Sequence, residues 1–133
     1  MESGQTSDVS SPALSVLVAD DDDLVRLVLR RALERAGFTV SDAATCPAAI
    51  DAARSRVDLV LLDAHMPGGT LETTIAGVRD AAGPGIPILV LSGDARLPEH
   101  LAAPTVGYLA KPVQLDDLLA EIDRLLTSTP DPE

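Results

Sequence analysis

Short β-branched and leucine-rich runs recur along the chain, at Val16–Ala19, Phe38–Val40, Val57–Leu62, Ile86–Leu91 and Val106–Ala110. The third and fourth (VDLVLL and IPILVL) are almost unbroken, the pattern of parallel strands covered on both faces. Between the runs the spacing changes to that of helices. Leu24–Ala36 places Val25, Val28, Leu29, Ala32, Leu33 and Ala36 on one side and stops at Gly37, a residue suited to the left-handed turn that ends a helix. Pro47 suits the first position of a short segment, Pro47–Arg54, and Thr70 can cap a helix running to about Ala82. Pro98 and Pro104 leave room for only a short fourth helix, Pro98–Ala103. Leu115, Leu118, Leu119, Ile122, Leu125 and Leu126 form an apolar stripe on the last helix. Five strands alternating with five helices predict an α/β chain: a doubly wound, five-stranded parallel sheet with helices on both faces. Residues 1–13 read as a disordered lead-in, 14–126 as the folded domain, and 127–133 (TSTPDPE) as a flexible tail.

A length of 133 residues fits one domain of that kind. Hydrophobic residues make up 46% but aromatics only 2%, so Ala, Val, Leu and Ile must fill the core. Cys46 is the one cysteine, which excludes an intramolecular disulfide and fits the reducing cytoplasm. Twenty-one acids against ten bases give a net charge of −11, which argues against nucleic acid as a direct partner. The N-terminus lacks the basic and apolar regions of a signal peptide, and no apolar stretch approaches the roughly twenty residues of a membrane span.

In doubly wound sheets ligands sit beyond the carboxyl ends of the strands. The unusual residues of this chain stand there. Asp20, Asp21, Asp22 and Asp23 follow the first run, Asp63 ends the third, Ser92 the fourth, and Lys111–Pro112 the fifth. Four acids in isolation read as a solvated charge run, and Asp22 or Asp23 can simply cap the next helix. Asp20 and Asp21 lie at the strand end itself, beside the strand that carries Asp63. Carboxylates crowded there either take up protons or share a divalent cation. Oxygen-only ligands favour a hard ion, and Mg²⁺ is commonly held by one or two carboxylates plus a phosphoryl oxygen. An acidic pocket with a lysine therefore suggests phosphoryl chemistry, with Asp63 as the nucleophile, Lys111 neutralising phosphoryl oxygens and Ser92 hydrogen-bonding one of them.

Four segments in order, VLVADDDDLVR (16–26), VDLVLLDAHMPG (57–68), PILVLSG (87–93) and GYLAKP (107–112), resemble the receiver domain of bacterial two-component response regulators. The resemblance implies a flavodoxin-like (βα)5 fold with strand order 2-1-3-4-5. It implies Asp63 as phosphoacceptor, Asp21 as a direct Mg²⁺ ligand, Asp20 as a ligand through water, and the backbone carbonyl of His65 as a further ligand. It also implies Ser92 as the switch hydroxyl, Tyr108 as the switch aromatic, Lys111 as the phosphate-sensing lysine, a cis peptide before Pro112, and Pro67 as the proline that shapes the loop. The donor would be a sensor histidine kinase or a phosphotransfer protein, and the output an unknown downstream protein, with the domain a monomer or a phosphorylation-dependent dimer. Such a domain is no enzyme beyond catalysing its own phosphorylation and dephosphorylation. With seven residues after Leu126, the expectation is a stand-alone receiver or one cut from a longer protein.

Other readings accompany these. The side chain of His65 is either a solvent-facing loop residue or, with Asp94, a flank of the phosphoryl group. Arg26, Arg30, Arg31 and Arg35 read as a solvated helical face or as a contact for the kinase. A Mg²⁺-dependent phosphatase also uses an aspartyl phosphate, but Asp63-Ala64-His65 lacks the second acid that fold expects. A degenerate receiver-like interaction domain would work without phosphorylation. Two departures from the family pattern stand out: the loop after Asp63 lacks the frequent Asp-Gly pair, and Lys111 follows Ser92 by only nineteen positions.

Overall fold

The computed structural model describes residues 13–94 and 97–127. Five strands, β1 (Ser15–Ala19), β2 (Thr39–Ala43), β3 (Leu59–Asp63), β4 (Ile88–Ser92) and β5 (Val106–Ala110), form one parallel sheet in the order β2-β1-β3-β4-β5. Four helices cover it: α1 (Asp23–Arg35), α2 (Cys46–Ala52), α3 (Leu71–Ala82) and α4 (Leu115–Thr127). Strand side chains alternate between faces, which divides each apolar run in two. Val16, Val18, Leu59, Leu61, Leu89 and Leu91 pack with Leu29 and Leu33 of α1 and with Leu118, Ile122 and Leu125 of α4. Leu17, Ala19, Val60, Leu62, Ile88 and Val90 pack with Ala49 of α2 and with Ile75 and Val78 of α3. Both faces being dry there, β1, β3 and β4 carry no alternating polar set, whereas the edge strand β2 exposes Thr39, Ser41 and Asp42. This is the doubly wound, flavodoxin-like architecture, and its strand order reverses between β1 and β3, which puts the crevice beyond Ala19 and Asp63.

Local chemistry sets the helix starts. The Asp22 carboxylate accepts the N–H groups of Leu24 and Val25 at the start of α1. Thr45 caps α2, with Pro47 in its first turn. Thr70 and Thr73 form a reciprocal capping box on α3.

The structure corrects the sequence reading in three places. Among the described residues there are four α-helices, not five, and the expected Pro98–Ala103 helix is a single 3-10 turn, Glu99–Leu101. Pro98 fixes the entry, and Pro104 pushes Ala103 away from helical angles, so no second turn can form. Val28, expected in the core, is 57% exposed, and Ala36 is exposed as the residue that closes α1. Leu29 and Leu33 alone centre that helix on the sheet. Finally, β2, β3 and β4 begin one to two residues later than their apolar runs. Phe38, Val57 and Ile86 pack against the core just ahead of the ladder, and Pro87 has no N–H to give it. Residues 1–12 of the expected lead-in and 128–133 of the expected tail lie outside the described residues.

Candidate functional site

The four consecutive acids divide their work. Asp22 caps α1, and Asp23 pairs with Arg26 at 2.7 Å. Asp20 is 1% exposed at the mouth of β1, tied to β2 through its N–H to the Ala43 carbonyl. Asp21 is exposed beside it, and Asp63 ends β3 almost fully buried. One carboxylate oxygen from each of Asp20, Asp21 and Asp63 lies within 4.8 Å of the others. Lys111 Nζ donates to Asp20 Oδ2 at 3.0 Å and lies 3.4 Å from Asp63 Oδ1, which also accepts the His65 N–H at 3.2 Å.

The electrostatics follow from burial and crowding. Burial raises the Asp63 carboxyl above its ordinary value and the Asp20 charge adds to this, against the His65 N–H and Lys111. Burial acts downward on the Lys111 ammonium, but its bond to Asp20 and the charges of Asp63 and Asp20 outweigh this and hold it above its ordinary value. Three carboxylates facing one ammonium leave an excess of negative charge. An all-oxygen donor set with that excess suits a hard divalent cation, and Mg²⁺ fits it.

Ser92 ends β4 and is buried, its Oγ accepting the Asp94 N–H at 3.0 Å. Lys111 is held in register by its own N–H, which donates to the Ser92 carbonyl at 2.7 Å. The Lys111–Pro112 peptide bond is cis. Tyr108 pairs with Val90 across the sheet, is half-buried, and donates its hydroxyl to the Asp94 carbonyl. His65 Nε2 meets Asp94 Oδ2 at 3.1 Å, both side chains largely exposed. Asp94 thus touches the strand-end hydroxyl, the aromatic and the loop after Asp63. Ser92, Tyr108, His65, Asp94 and Leu101 border a cavity of about 440 Å³ beside the acids. Pro67 anchors the loop, since its carbonyl accepts the Cys46 N–H at 2.9 Å, and Gly68 takes a positive φ of 97°. A Cβ at Gly68 would lie 2.6 Å from Pro47, so the tight turn needs glycine there.

Two contacts were not expected. Arg26 donates to the backbone carbonyl of Asp20 at 2.8 Å, which pins the acidic turn from α1. Its i,i+3 spacing from Asp23 was the only trace of this in the sequence. His100 meets Glu72 at 3.0 Å and fastens the β4–β5 connection to α3. No local spacing announces a contact across that distance in the chain.

The sequence pattern of the response regulator receiver domain matches residues 16–123. Response regulator MprA of Mycobacterium sp. (strain KMS) is 38% identical over 118 residues, covering 86% of this chain and 51% of the relative. The chain therefore spans about half the length of that curated relative. Among solved structures, chemotaxis protein CheY4 of Vibrio cholerae superposes with a TM-score of 0.77 at 30% identity, covering 86% of this chain and 99% of that one. The receiver domain of sensor histidine kinase PA1611 from Pseudomonas aeruginosa PAO1, which has a magnesium ion coordinated in its active site cleft, shares the fold with a TM-score of 0.75 at 23% identity over 87% of this chain and 99% of its own.

Proposed function

From the premise that this chain belongs to the response regulator receiver domain family, a signalling family of two-component systems, we propose that Asp63 accepts a phosphoryl group from a histidine kinase or phosphotransfer protein. The convergence of Asp20, Asp21, Asp63 and Lys111 at one edge of the sheet carries this reading. Asp20, Asp21, Asp63 and the His65 carbonyl would hold Mg²⁺, which when bound neutralises phosphoryl oxygens. Asp63 Oδ1 is engaged by the His65 N–H and faces Lys111, leaving Oδ2 to attack phosphorus. A P–O bond forms as the P–N bond of the donor breaks, and the leaving imidazole takes a proton from the donor side or solvent. Lys111 then pairs with a phosphoryl oxygen. Ser92 turns its hydroxyl toward another, which releases the Asp94 N–H. Because Tyr108 is bonded to Asp94, that release reaches the surface of β5. A switch of this kind needs about 5.5 kcal/mol of differential stabilisation to go from 1:99 to 99:1. The buried free thiol of Cys46 supports a cytoplasmic setting for this work, where a thiol stays reduced.

Incubation with Mg²⁺ and acetyl phosphate, followed by intact mass, tests this. One phosphoryl group is expected on the wild type, and none without Mg²⁺ or on Asp63→Asn. Without an adduct, beryllofluoride binding decides. Failure of both overturns the reading in favour of a receiver-like interaction domain that works unphosphorylated.

A further inference from the structure

Asp20 is held at every polar atom. Its N–H donates to the Ala43 carbonyl at 3.0 Å, its Oδ1 accepts the Asp22 N–H at 2.9 Å, and its Oδ2 accepts Lys111 Nζ at 3.0 Å. The remaining atom, the backbone carbonyl oxygen, accepts Arg26 at 2.8 Å. Asp21 is the opposite case. It is exposed, and its carboxylate has no hydrogen bond or ion pair among the described residues. Only the backbone aims it at Asp20 and Asp63. The carbonyl of Asp20 and the N–H of Asp21 belong to one rigid peptide plane. A guanidinium that fixes the oxygen therefore fixes the direction in which Asp21 leaves the strand.

Arg26 is anchored for this task. It stands in the first turn of α1, and its own N–H donates to the Asp22 carbonyl at 2.9 Å, so its root moves with the turn it braces. One arm of its fork holds the Asp20 carbonyl and the other donates to Asp23 at 2.7 Å, while Nε lies 3.9 Å from Asp42 of β2. A planar guanidinium serves these directions at once, which a single ammonium head cannot do. The side chain is only 19% exposed, against 40% for Arg30 one turn further on. Arg30 also pairs with Asp42, at 3.1 Å, and with Glu34, yet it touches no atom of the acidic turn.

Charge alone would give Arg26 the opposite effect. A cation beside three carboxylates repels a divalent ion, so removing it should draw Mg²⁺ in more tightly. We propose that Arg26 is a positioning residue for the metal centre: by holding the Asp20 carbonyl it presets Asp21 beside Asp63, and this outweighs its repulsion of the cation. The inference rests on Asp20, Asp21 and Asp63 holding Mg²⁺, as proposed above. Asp23 and Asp42 flank the guanidinium and offset its charge, whereas no other side chain makes its bond to the Asp20 carbonyl among the described residues. Without that bond the peptide after Asp20 is free to turn, and the ion must order Asp21 as it binds.

Titration of the full chain with Mg²⁺ alone, followed by amide NMR shifts at about 0.15 M salt, tests this without a phosphodonor. Arg26→Met keeps the apolar stem and removes the donors. Its Kd for Mg²⁺ should rise about tenfold, the worth of one hydrogen bond from a charged group. Arg30→Met removes a cation from the same flank that holds no part of the turn, and its Kd should stay within about twofold of wild type. A titration of the folded chain well below its Tm does not respond to global stability, so a purely structural loss would lower Tm and leave Kd unchanged. Arg26→Gln carries the same test if Arg26→Met folds poorly. An arginine variant that binds Mg²⁺ as tightly as wild type, or more tightly, overturns the role of Arg26 and leaves the metal site standing. An equal loss in Arg30→Met also overturns it, since the effect would then belong to the helix as a whole. A wild type that binds no Mg²⁺ overturns the metal reading itself, so the two failures are distinct.

Discussion

Asp63 is the residue on which burial and chemistry pull in opposite directions. Its carboxyl is raised by burial and by Asp20, so the folded state binds that proton more readily than the unfolded chain does. The sign follows: stability is fully present with Asp63 protonated and is lost as pH rises above the ordinary value of 3.8. In metal-free buffer Asp63→Asn should therefore be more stable than wild type by roughly 1 kcal/mol at pH 7, a few degrees in Tm, and the gap should close near pH 4. Added Mg²⁺ should raise the Tm of the wild type more than that of the variant. Thermal melts across pH with EDTA or Mg²⁺ check both arms. His65 and Asp94 form the other residue-scale device, a pair bridging the loop after Asp63 and the end of β4. Replacing both with alanine opens the site to water and should shorten the phosphoryl lifetime several-fold, about 1 kcal/mol in the barrier. Loss of label from the acyl phosphate reads this out, and an unchanged rate would remove the pair from the chemistry. Most of these residues were legible because each sits at a strand end. The pinning of the Asp20 carbonyl by Arg26 was not, since a guanidinium on an exposed helical face looks the same whether it is solvated or bound.

At the scale of elements, periodicity located every strand and four helices, while boundaries followed rules that a hydrophobic run does not express. Phe38, Val57 and Ile86 are as apolar as the strands they precede, yet they pack ahead of the ladder. Val28 belongs to the apolar arc of α1 by spacing but faces the flank, because an arc wider than the sheet contact leaves one edge outside. The tight approach of α2 and α3 also hid in the sequence, carried by one glycine in a helix. A Cβ on Gly77 would stand 2.4 Å from Cδ1 and 2.8 Å from Cγ1 of Ile50. Alanine there gains about 1 kcal/mol of helix propensity but forces Ile50 aside, at about 1–3 kcal/mol. The expected net is a destabilisation of about 1 kcal/mol by urea unfolding. Ile50→Ala in the same chain should make Gly77→Ala favourable, a coupling a double-mutant cycle measures.

Among the described residues, the regular (βα) repeat is broken at one crossover. Between β4 and β5 the chain turns back through Glu99–Leu101, tucks Leu97, Leu101 and Ala103 against the core, and is fastened to α3 by His100 and Glu72. Strand order and layers were legible from the resemblance and the apolar runs. This connection was only half legible, because two prolines announce that a helix is short but not where its remnant is tied. One further property follows from the composition. The chain has no tryptophan and a single tyrosine, and that tyrosine is Tyr108, whose hydroxyl is bonded to Asp94 beside the acidic cluster. Excited at the long-wavelength side of tyrosine absorption, where Phe38 does not absorb, the protein thus has one emitter, and it stands at the joint through which the signal is expected to leave. Titrating beryllofluoride with Mg²⁺ should change that emission with a midpoint matching occupancy of the site, and Tyr108→Phe should abolish it under the same excitation. The molecule is its own indicator dye, readable without label or graft.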